Sequence, residues 1–235
     1  MCPEDGSTTS QKGAKKAEKV DPLIGRMVGS YKLVRVLGKG GMGAVYAGEH
    51  PAIGSKVAVK FLHPQYAEDK QLVTRFFNEA KAVNLIKHDN IVQVLDYNFL
   101  DETTPYFVME FLDQGYSMSA LQNQAHPLEL TAPIFLQVAD ALSAAHATQI
   151  IHRDLKPDNI FLTVKNHRKH FVKLMDFGIA KLVSEDQSKT QTGVVMGTPA
   201  YMSPEQAGGK VNEIGPASDI YSLGIIMYQL ATGKV

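Results

Sequence analysis

Apolar residues in the first half of the chain recur in short runs that have the length and alternation of β-strands. The last two runs are separated by residues 101–105, Asp-Glu-Thr-Thr-Pro, which predict a turn. Residues 74–86 instead carry apolar side chains near helical spacing, which predicts one helix among the strands. The five predicted strands are residues 31–37, 44–47, 57–62, 91–97 and 106–111.

From Ser117 onward the pattern becomes mainly helical. A short helical segment is predicted at residues 119–124 and a long helix at residues 131–148, with Thr131 as its N-cap. A hairpin of residues 160–163 and 171–174 follows. Residues 218–231 are apolar on almost every side, which is typical of a core helix. We expect that helix to begin at Ser218 and to end at Gly233.

Composition narrows the class of protein without identifying it. The 235 residues are 44% hydrophobic and 20% charged with a net charge of zero, so neither nucleic acid nor an anionic membrane is a predicted partner. The single cysteine, Cys2, allows no internal disulfide and is consistent with a reducing, cytoplasmic location. No apolar run reaches the length of a membrane span, and the start of the chain has no signal-peptide core.

Residues 1–29 are rich in serine, threonine, glycine and lysine, and we predict a disordered tail there. A basic contact patch formed by its lysines is the less favoured alternative. The folded region is then residues 30–235, divided into a first lobe of about residues 30–112 and a second of about residues 113–235.

The most polar stretch of the second half lies between two apolar pairs, Ile150-Ile151 and Ile160-Phe161. Pro157 excludes a helix there. His152, Arg153, Asp154, Leu155 and Asn159 match the spacing His-Arg-Asp-Leu-x-x-x-Asn, so this segment resembles the catalytic loop of protein kinases. A charged surface loop between two strands is the simpler alternative, which the remaining motifs must exclude.

A glycine-rich segment follows the first predicted strand. Gly38, Gly40 and Gly43 fit G-x-G-x-x-G, and Val45 completes the form found in protein kinases. Glycine lets backbone N–H groups approach phosphate oxygens closely. A hairpin tip and a dinucleotide-binding fold are the alternatives. A strand rather than a helix follows the glycines, and this favours the resemblance to the kinase phosphate loop.

Lys60 lies in the apolar strand 57–62, where an unpaired charge is costly to bury. A lysine that extends its amine to solvent at the sheet edge is one explanation. By resemblance to Val-Ala-Ile-Lys of protein kinases, Lys60 would instead hold the α- and β-phosphates of ATP. Glu79, on the predicted helix, would then be its ion-pair partner.

Further kinase motifs appear in the expected order. Met109 would close the back of the adenine pocket, although its sequence environment alone assigns it only to the core. Residues 110–112 would form the hinge that contacts the adenine edge. Asp176-Phe177-Gly178 matches the metal-binding tripeptide, and Asp219 on the last helix would support the catalytic loop.

The resemblance, which covers residues 30–235, is to bacterial-type serine/threonine protein kinases. It implies an α+β, two-lobed kinase fold with a five-stranded antiparallel sheet and one helix in the first lobe. Asp154 would accept the hydroxyl proton, Lys156 would neutralise the transferring group, and Asn159 and Asp176 would bind Mg²⁺, for which Mn²⁺ could substitute. The implied ATP-binding residues are Leu37, Gly38, Lys39, Gly40, Gly41, Met42, Gly43, Ala44, Val45, Ala58, Lys60, Met109, Glu110 and Leu112.

Residues 179–202 lack periodicity and stand where protein kinases have the activation loop. A flexible surface loop is the simpler interpretation. The resemblance implies autophosphorylation at Thr190 and Thr192, with Arg153 receiving the phosphate and a dimer in which one copy modifies the other. Ser203-Pro204-Glu205 departs from the usual Ala-Pro-Glu by a small change. By resemblance to the serine/threonine branch of the family, Lys156 and Thr198 imply serine and threonine rather than tyrosine in protein substrates.

Two other function classes remain open at this stage: a pseudokinase scaffold and a nucleotide-binding module without transfer. The presence of every catalytic residue disfavours both. Because members of this family continue past the last predicted helix, we also expect a kinase fragment that lacks its last helices. One side of that helix would then be uncovered, and Glu205, if buried, would lack its partner.

Overall fold

The apolar runs of the first half of the chain form a six-stranded antiparallel sheet. The computed structural model describes residues 21–178 and 199–235. The strands lie in the order β1-β2-β3-β4-β6-β5. They are β1 Met27–Val28, β2 Tyr31–Lys39, β3 Gly43–Glu49, β4 Lys56–Leu62, β5 Val94–Leu100 and β6 Thr104–Glu110.

The additional strand, β1, comes from a segment that we assigned to the disordered tail. β1 pairs with the start of β2, and Val28 is fully buried beside Leu23 and Ile24, which pack against the same core. Three apolar side chains thus offset the polar composition of this segment. The folded region begins earlier than residue 30, and the rest of the predicted tail, residues 1–20, lies outside the described residues.

Asp21 ties this N-terminal segment to the sheet. Its carboxylate accepts hydrogen bonds from the Tyr46 hydroxyl at 3.1 Å and from the Lys39 ammonium at 3.0 Å. Burial, reinforced by this carboxylate, raises the pKa of Tyr46 to about 12. The start of the folded region is therefore joined to both strands that flank the glycine-rich segment.

Helix α2 packs one face on this sheet. It spans Lys70–Ile86, begins four residues before our prediction, and is capped by the Asp69 carboxylate, which accepts from the Gln71 and Leu72 amides. Its first turn contains Leu72 and Val73, two apolar residues that our prediction left out. A single turn, α1 Pro64–Ala67, precedes it.

The second lobe is built on two long helices, α3 Leu128–Ala147 and, after the single turn α4 Pro204–Ala207, α5 Pro216–Thr232. Both N-caps were predicted wrongly: α3 starts at Leu128, and α5 is preceded by Gly215, whose amide donates to Ser218. In both cases the predicted cap lies inside the first turns of the helix. Gly233 ends α5 in the left-handed conformation (φ 72°), as predicted.

A second, three-stranded sheet supports the loop that joins α3 to β8. It contains β7 Tyr116–Ser117, β8 Ile160–Lys165 and β9 Arg168–Leu174. The β8–β9 turn uses two residues with positive φ, Asn166 and His167, in place of glycines. Short 3₁₀ turns lie at Met118–Leu121, Pro157–Asn159, Pro199–Tyr201 and Val211–Glu213.

Among the described residues, α3 is the one helix long and apolar enough to cross a membrane by length and composition. Its apolar face is buried in the protein core instead, since Val138, Ala141, Leu142 and Ala145 are fully buried there. The helix therefore has the environment of a core helix and gives no indication of a membrane span.

One side of α5 is uncovered by the described residues, as predicted. Ile220, Tyr221, Met227 and Tyr228 lie along it and are 43–58% exposed. The condition that we set for Glu205 is not met: Glu205 is only partly buried, and it accepts a hydrogen bond from the Ser218 hydroxyl at 2.5 Å. This bond holds the pKa of Glu205 below its usual range.

The close approach of β3 to β4 predicts the effect of one substitution. A Cβ added at Gly43 would overlap the Phe61 carbonyl oxygen, which belongs to the paired strand and cannot move away alone. We expect Gly43→Ala to lower the free energy of unfolding by about 1–3 kcal/mol, measured by urea denaturation.

The matched control is Gly224→Ala on the exposed side of α5, where nothing lies within 4 Å of the added Cβ. There alanine should raise stability by up to about 1 kcal/mol, because glycine is a poor helix former. Equal effects of the two substitutions would show that the strands do not approach as closely as described.

Candidate active site

The ammonium group of Lys60 joins three elements of the fold. Lys60 lies on β4 and its Nζ donates to Glu79 Oε1 on α2 at 3.2 Å and to Asp176 Oδ1, beyond β9, at 2.7 Å. The ammonium also lies 5.5 Å from the ring centre of Phe107. Lys60 is therefore a paired lysine in a cleft between the lobes and not a solvated lysine at the sheet edge.

Burial and mutual attraction shift the pKa values of this cluster in different directions. Burial alone would lower the pKa of Lys60, but Asp176 and Glu79 outweigh it and raise that pKa. Although the cleft partly removes Asp176 from water, which would raise its pKa, Lys60 holds that pKa below its usual range. Burial, with Asp176 and Asp154 nearby, raises the pKa of Glu79 to about 7. The cluster has more negative than positive charge.

The loop after α3 is held from below by the buried carboxylate of Asp219. Its Oδ2 accepts from the His152 amide at 2.8 Å and contacts His146 Nε2 at 2.8 Å, while its Oδ1 accepts from the Arg153 amide at 2.9 Å. Arg153 adopts φ 65°, a conformation unusual for a non-glycine residue. The carboxylate thus fixes a backbone turn just before Asp154.

The polar side chains of this loop converge on Asp154. Asn159 Nδ2 donates to the Asp154 carbonyl at 2.7 Å and to its Oδ2 at 3.2 Å, and Lys156 Nζ lies 3.4 Å from the same Oδ2. Leu155 and Pro157 are buried and anchor the loop between these groups. An acid, an amide and an ammonium group therefore line one wall of the cleft.

The ring of Phe177 holds Asp176 beside this loop. Phe177 is 1% exposed and packs on the His152 ring with 4.5 Å between centroids. His152 donates from Nε2 to the Met175 carbonyl at 3.1 Å, and burial lowers its pKa, so the ring is neutral. The Gly178 amide donates to the His152 carbonyl at 2.7 Å. These contacts fix Asp176 at φ 52° opposite Lys60.

Asp176 and Asn159 offer a donor set that suits Mg²⁺. Asn159 uses its amide hydrogens on Asp154, which leaves its carbonyl oxygen as the ligand atom, and the Asp176 side chain is 43% exposed. Mg²⁺ is usually held by one or two carboxylate or amide oxygens together with substrate phosphates. The described residues contain no group of three histidine, cysteine or acidic side chains that could hold a metal without such a substrate.

The glycine-rich segment forms the turn between β2 and β3 above this cleft. The Gly40 amide donates to the Gly43 carbonyl at 2.8 Å and closes the turn. Gly40 and Gly41 are exposed, whereas Gly43 is buried where β3 meets β4. The remaining predicted ATP-binding residues of this segment lie on the flanking strands, namely Leu37, Gly38 and Lys39 on β2 and Ala44 and Val45 on β3.

The predicted adenine-pocket residues lie on the neighbouring strands β4 and β6 and just after β6. Ala58 and Met109 are directly paired across these strands, and a small cavity behind Met109 reaches Glu79 and Phe177. Leu112 follows the end of β6. The Glu110 carboxylate points elsewhere: its Oε1 accepts from Lys173 Nζ at 2.5 Å and from the Gln93 amide at 2.8 Å. Only the backbone of Glu110 can serve the role that we predicted.

Sequence reasoning overlooked three side chains of this region. Lys173 joins β9 to the predicted hinge at Glu110, and its position in an apolar strand is the same signal that identified Lys60. His146 contacts Asp219 from α3, and His63 contacts the glycine-rich turn. A lone histidine carries no motif, so only the fold reveals the last two.

The predicted activation loop is described only at its end. Ser203 and Gln206 form a capping box around α4, and Gln206 Nε2 donates to the Arg153 carbonyl at 2.7 Å. The end of that segment is thus joined to the catalytic loop. The predicted phosphosites Thr190 and Thr192, and Thr198, lie outside the described residues.

Comparisons with known proteins match this geometry. The sequence profile of the family described as protein kinase domain matches residues 31–235. Serine/threonine-protein kinase Pkn1 of Myxococcus xanthus is 50% identical over 232 residues, which are 98% of this chain and 33% of Pkn1. The crystal structure of the Mycobacterium tuberculosis PknI kinase domain has a TM-score of 0.66 at 27% identity, covering 90% of this chain and 77% of that one.

A second curated relative, serine/threonine-protein kinase PknA of Mycobacterium tuberculosis, is 37% identical over 222 residues, or 92% of this chain and 50% of PknA. The chain therefore spans between a third and a half of the length of these two relatives.

The raised pKa of Glu79 predicts a pH-dependent stability. Between its ordinary pKa of 4.5 and the folded value of about 7, the folded protein holds a proton on Glu79 that the unfolded chain has lost. The free energy of unfolding should therefore fall as pH rises through this window, by at most about 3 kcal/mol. Glu79→Gln cannot titrate and should lack this fall.

Urea denaturation at pH 5 and pH 8, without nucleotide, measures how much the free energy of unfolding changes with pH in wild type and in Glu79→Gln. Glu49→Gln, an exposed residue at the end of β3, serves as the control and should behave as wild type. The same pH dependence in wild type and Glu79→Gln would show that Glu79 ionises at its ordinary pKa.

Proposed function

The chain belongs to the protein kinase family and has its two-lobed fold, and on that premise we propose that it transfers the γ-phosphoryl group of ATP to serine and threonine hydroxyls of proteins. The relatives it matches are named serine/threonine kinases of bacteria. The observation that carries the proposal is the cleft in which Lys60, paired with Glu79 and Asp176, faces the loop that holds Asp154 and Asn159.

The positions of these side chains support a proposed part for each of them in the transfer. The Asp154 carboxylate accepts the proton of the substrate hydroxyl, whose oxygen then forms a bond to the γ-phosphorus. The bond from the γ-phosphorus to the bridging oxygen breaks, and ADP leaves with the electron pair. Lys156, 3.4 Å from Asp154, offsets negative charge on the group in transit.

Lys60 binds and orients the phosphates of ATP. Its ammonium stays charged because Asp176 and Glu79 raise its pKa, and Glu79 prevents it from turning fully toward Asp176. Mg²⁺ or Mn²⁺ held by Asp176 and Asn159 would supply positive charge for the phosphate oxygens when ATP is bound. Ala58 and Met109 would pack on the adenine ring, and backbone groups from Glu110 to Leu112 would bind its edge.

We also propose that Thr190 and Thr192 are autophosphorylation sites, modified by a second copy in a transient dimer in the cytoplasm. Support comes from Arg153, whose amide is fixed by Asp219 and whose carbonyl accepts from Gln206 at the end of that segment. A phosphate adds nearly two negative charges, which an arginine fixed at this place would attract.

A labelling experiment tests the transfer. We expect Asp154→Asn to reduce transfer of labelled γ-phosphate from ATP to a generic protein acceptor by about a hundredfold or more, because the amide cannot accept the hydroxyl proton. Nucleotide binding should remain. The control is Asp140→Asn, an exposed carboxylate on α3 that pairs only with His88 among the described residues.

Undiminished labelling by Asp154→Asn would exclude the assigned role of this residue. Nucleotide binding by the wild type without any transfer would instead favour the scaffold alternative. Phosphoamino acid analysis of the product decides between serine or threonine and tyrosine acceptors.

The phosphosite proposal predicts that Thr190→Ala/Thr192→Ala removes phosphate detected by mass spectrometry in that segment and lowers activity about tenfold or more, since the ordering charge is lost. The control pair is Ser184→Ala/Ser188→Ala in the same segment. Full activity of the threonine pair variant would rule out a required role for these sites.

A further inference from the structure

We propose that His63 is a positioning residue for nucleotide binding, which holds the tip of the glycine-rich turn, residues 40–43, in place over the strand that carries Lys60. The proposal rests on the proposed function, because it concerns the same nucleotide. His63 belongs to none of the motifs discussed above, and it contacts the turn through both its side chain and its backbone.

Two carbonyl oxygens of the turn are bound by this one residue. The His63 ring donates from Nε2 to the Gly40 carbonyl at 2.9 Å, and its backbone amide donates to the Met42 carbonyl at 2.9 Å. A carbonyl can only accept, so the ring nitrogen carries the proton. With the bond from the Gly40 amide to the Gly43 carbonyl, these contacts connect the turn to β4 and close it internally.

The position of His63 makes this connection rigid. His63 directly follows β4 and lies three residues after Lys60. β3 and β4 pair without a bulge from Gly43–Leu62 to Glu49–Lys56, and there is no room for a Cβ at Gly43. One strand therefore fixes both the ammonium group of Lys60 and the carbonyl groups of the turn.

Fixing the carbonyls also fixes the amides. In a trans peptide the C=O and the following N–H point in opposite directions. The Gly40 carbonyl points at His63, so the N–H of Gly41 points away from it. Glycine backbones otherwise sample many conformations, and a turn restrained before binding loses less entropy when phosphate oxygens arrive. His63 should accordingly affect nucleotide affinity more than the rate of the chemical step.

His63→Ala and His63→Gln separate the ring contact from the backbone contact. Both variants keep the amide bond to Met42, and glutamine places an N–H donor near the position of the histidine Nε2. We expect His63→Ala to raise the dissociation constant of a fluorescent ADP analogue about three- to tenfold, as for the loss of one hydrogen bond, and His63→Gln to restore most of it.

In the transfer assay, the KM for ATP should rise by the same factor in His63→Ala, whereas kcat and the KM for the protein acceptor stay unchanged. Amide hydrogen exchange of residues 38–45 should become faster in His63→Ala only. The control is His50→Ala, which removes an imidazole from the β3–β4 turn of the same lobe, far from the glycine-rich turn along both strands.

The binding measurement distinguishes a failure of the proposed function from a failure of the positioning role of His63. If the wild type fails to bind the ADP analogue, the proposed function itself is wrong. If the wild type binds it and His63→Ala binds equally well, or if His63→Gln behaves like His63→Ala, the positioning role of the His63 ring is overturned. A fall in kcat with unchanged nucleotide affinity would also contradict it.

Discussion

A buried lysine that must satisfy two carboxylates at once determines how the two lobes meet. Lys60 can neutralise Glu79 only if α2 packs against the sheet with that residue inward, and Asp176 only if β9 ends at the cleft. Removing Lys60 would leave two neighbouring carboxylates without their cation, which is costly because Glu79 is buried. The α2 orientation, the Met175–Phe177 turn and the cleft width therefore depend on one ammonium group.

A second buried charge fixes the opposite wall of the cleft. Asp219 is 1% exposed and is satisfied by two consecutive amides and a histidine, so the catalytic loop backbone has little freedom. The positive φ of Arg153 persists because these bonds over-determine it. Lys60 fixes the side proposed to bind the phosphates, and Asp219 fixes the side that holds Asp154. The ring of Phe177, stacked on His152, connects the two.

The sequence predicted those parts of the site that depend on local spacing. Lys60, Asp154, Asn159 and Asp176 stand in short motifs, so their convergence could be expected, and the alternation of apolar residues located most strands. The sequence did not predict the contacts between segments that are distant along the chain. Lys173 meets Glu110 only because β9 lies under the end of β6, and the first strand was hidden in a polar segment with few apolar residues. The starts of α3 and α5 were misplaced because Thr131 and Ser218, whose side chains suit an N-cap, lie inside the first turns of these helices.

The charge balance of the cleft explains why the site is suited to a nucleotide with its metal ion. Glu79, Asp154 and Asp176 are three carboxyl groups against the two ammonium groups of Lys60 and Lys156, and burial together with this excess of acidic groups raises the pKa of Glu79 to about 7. A divalent cation bound beside Asp176 would offset this excess and lower the pKa of Glu79. The Lys60–Glu79 pair would then be more fully ionised at neutral pH with the metal and nucleotide bound than without them. Binding of the metal and ionisation of Glu79 would then be thermodynamically linked, and each would favour the other.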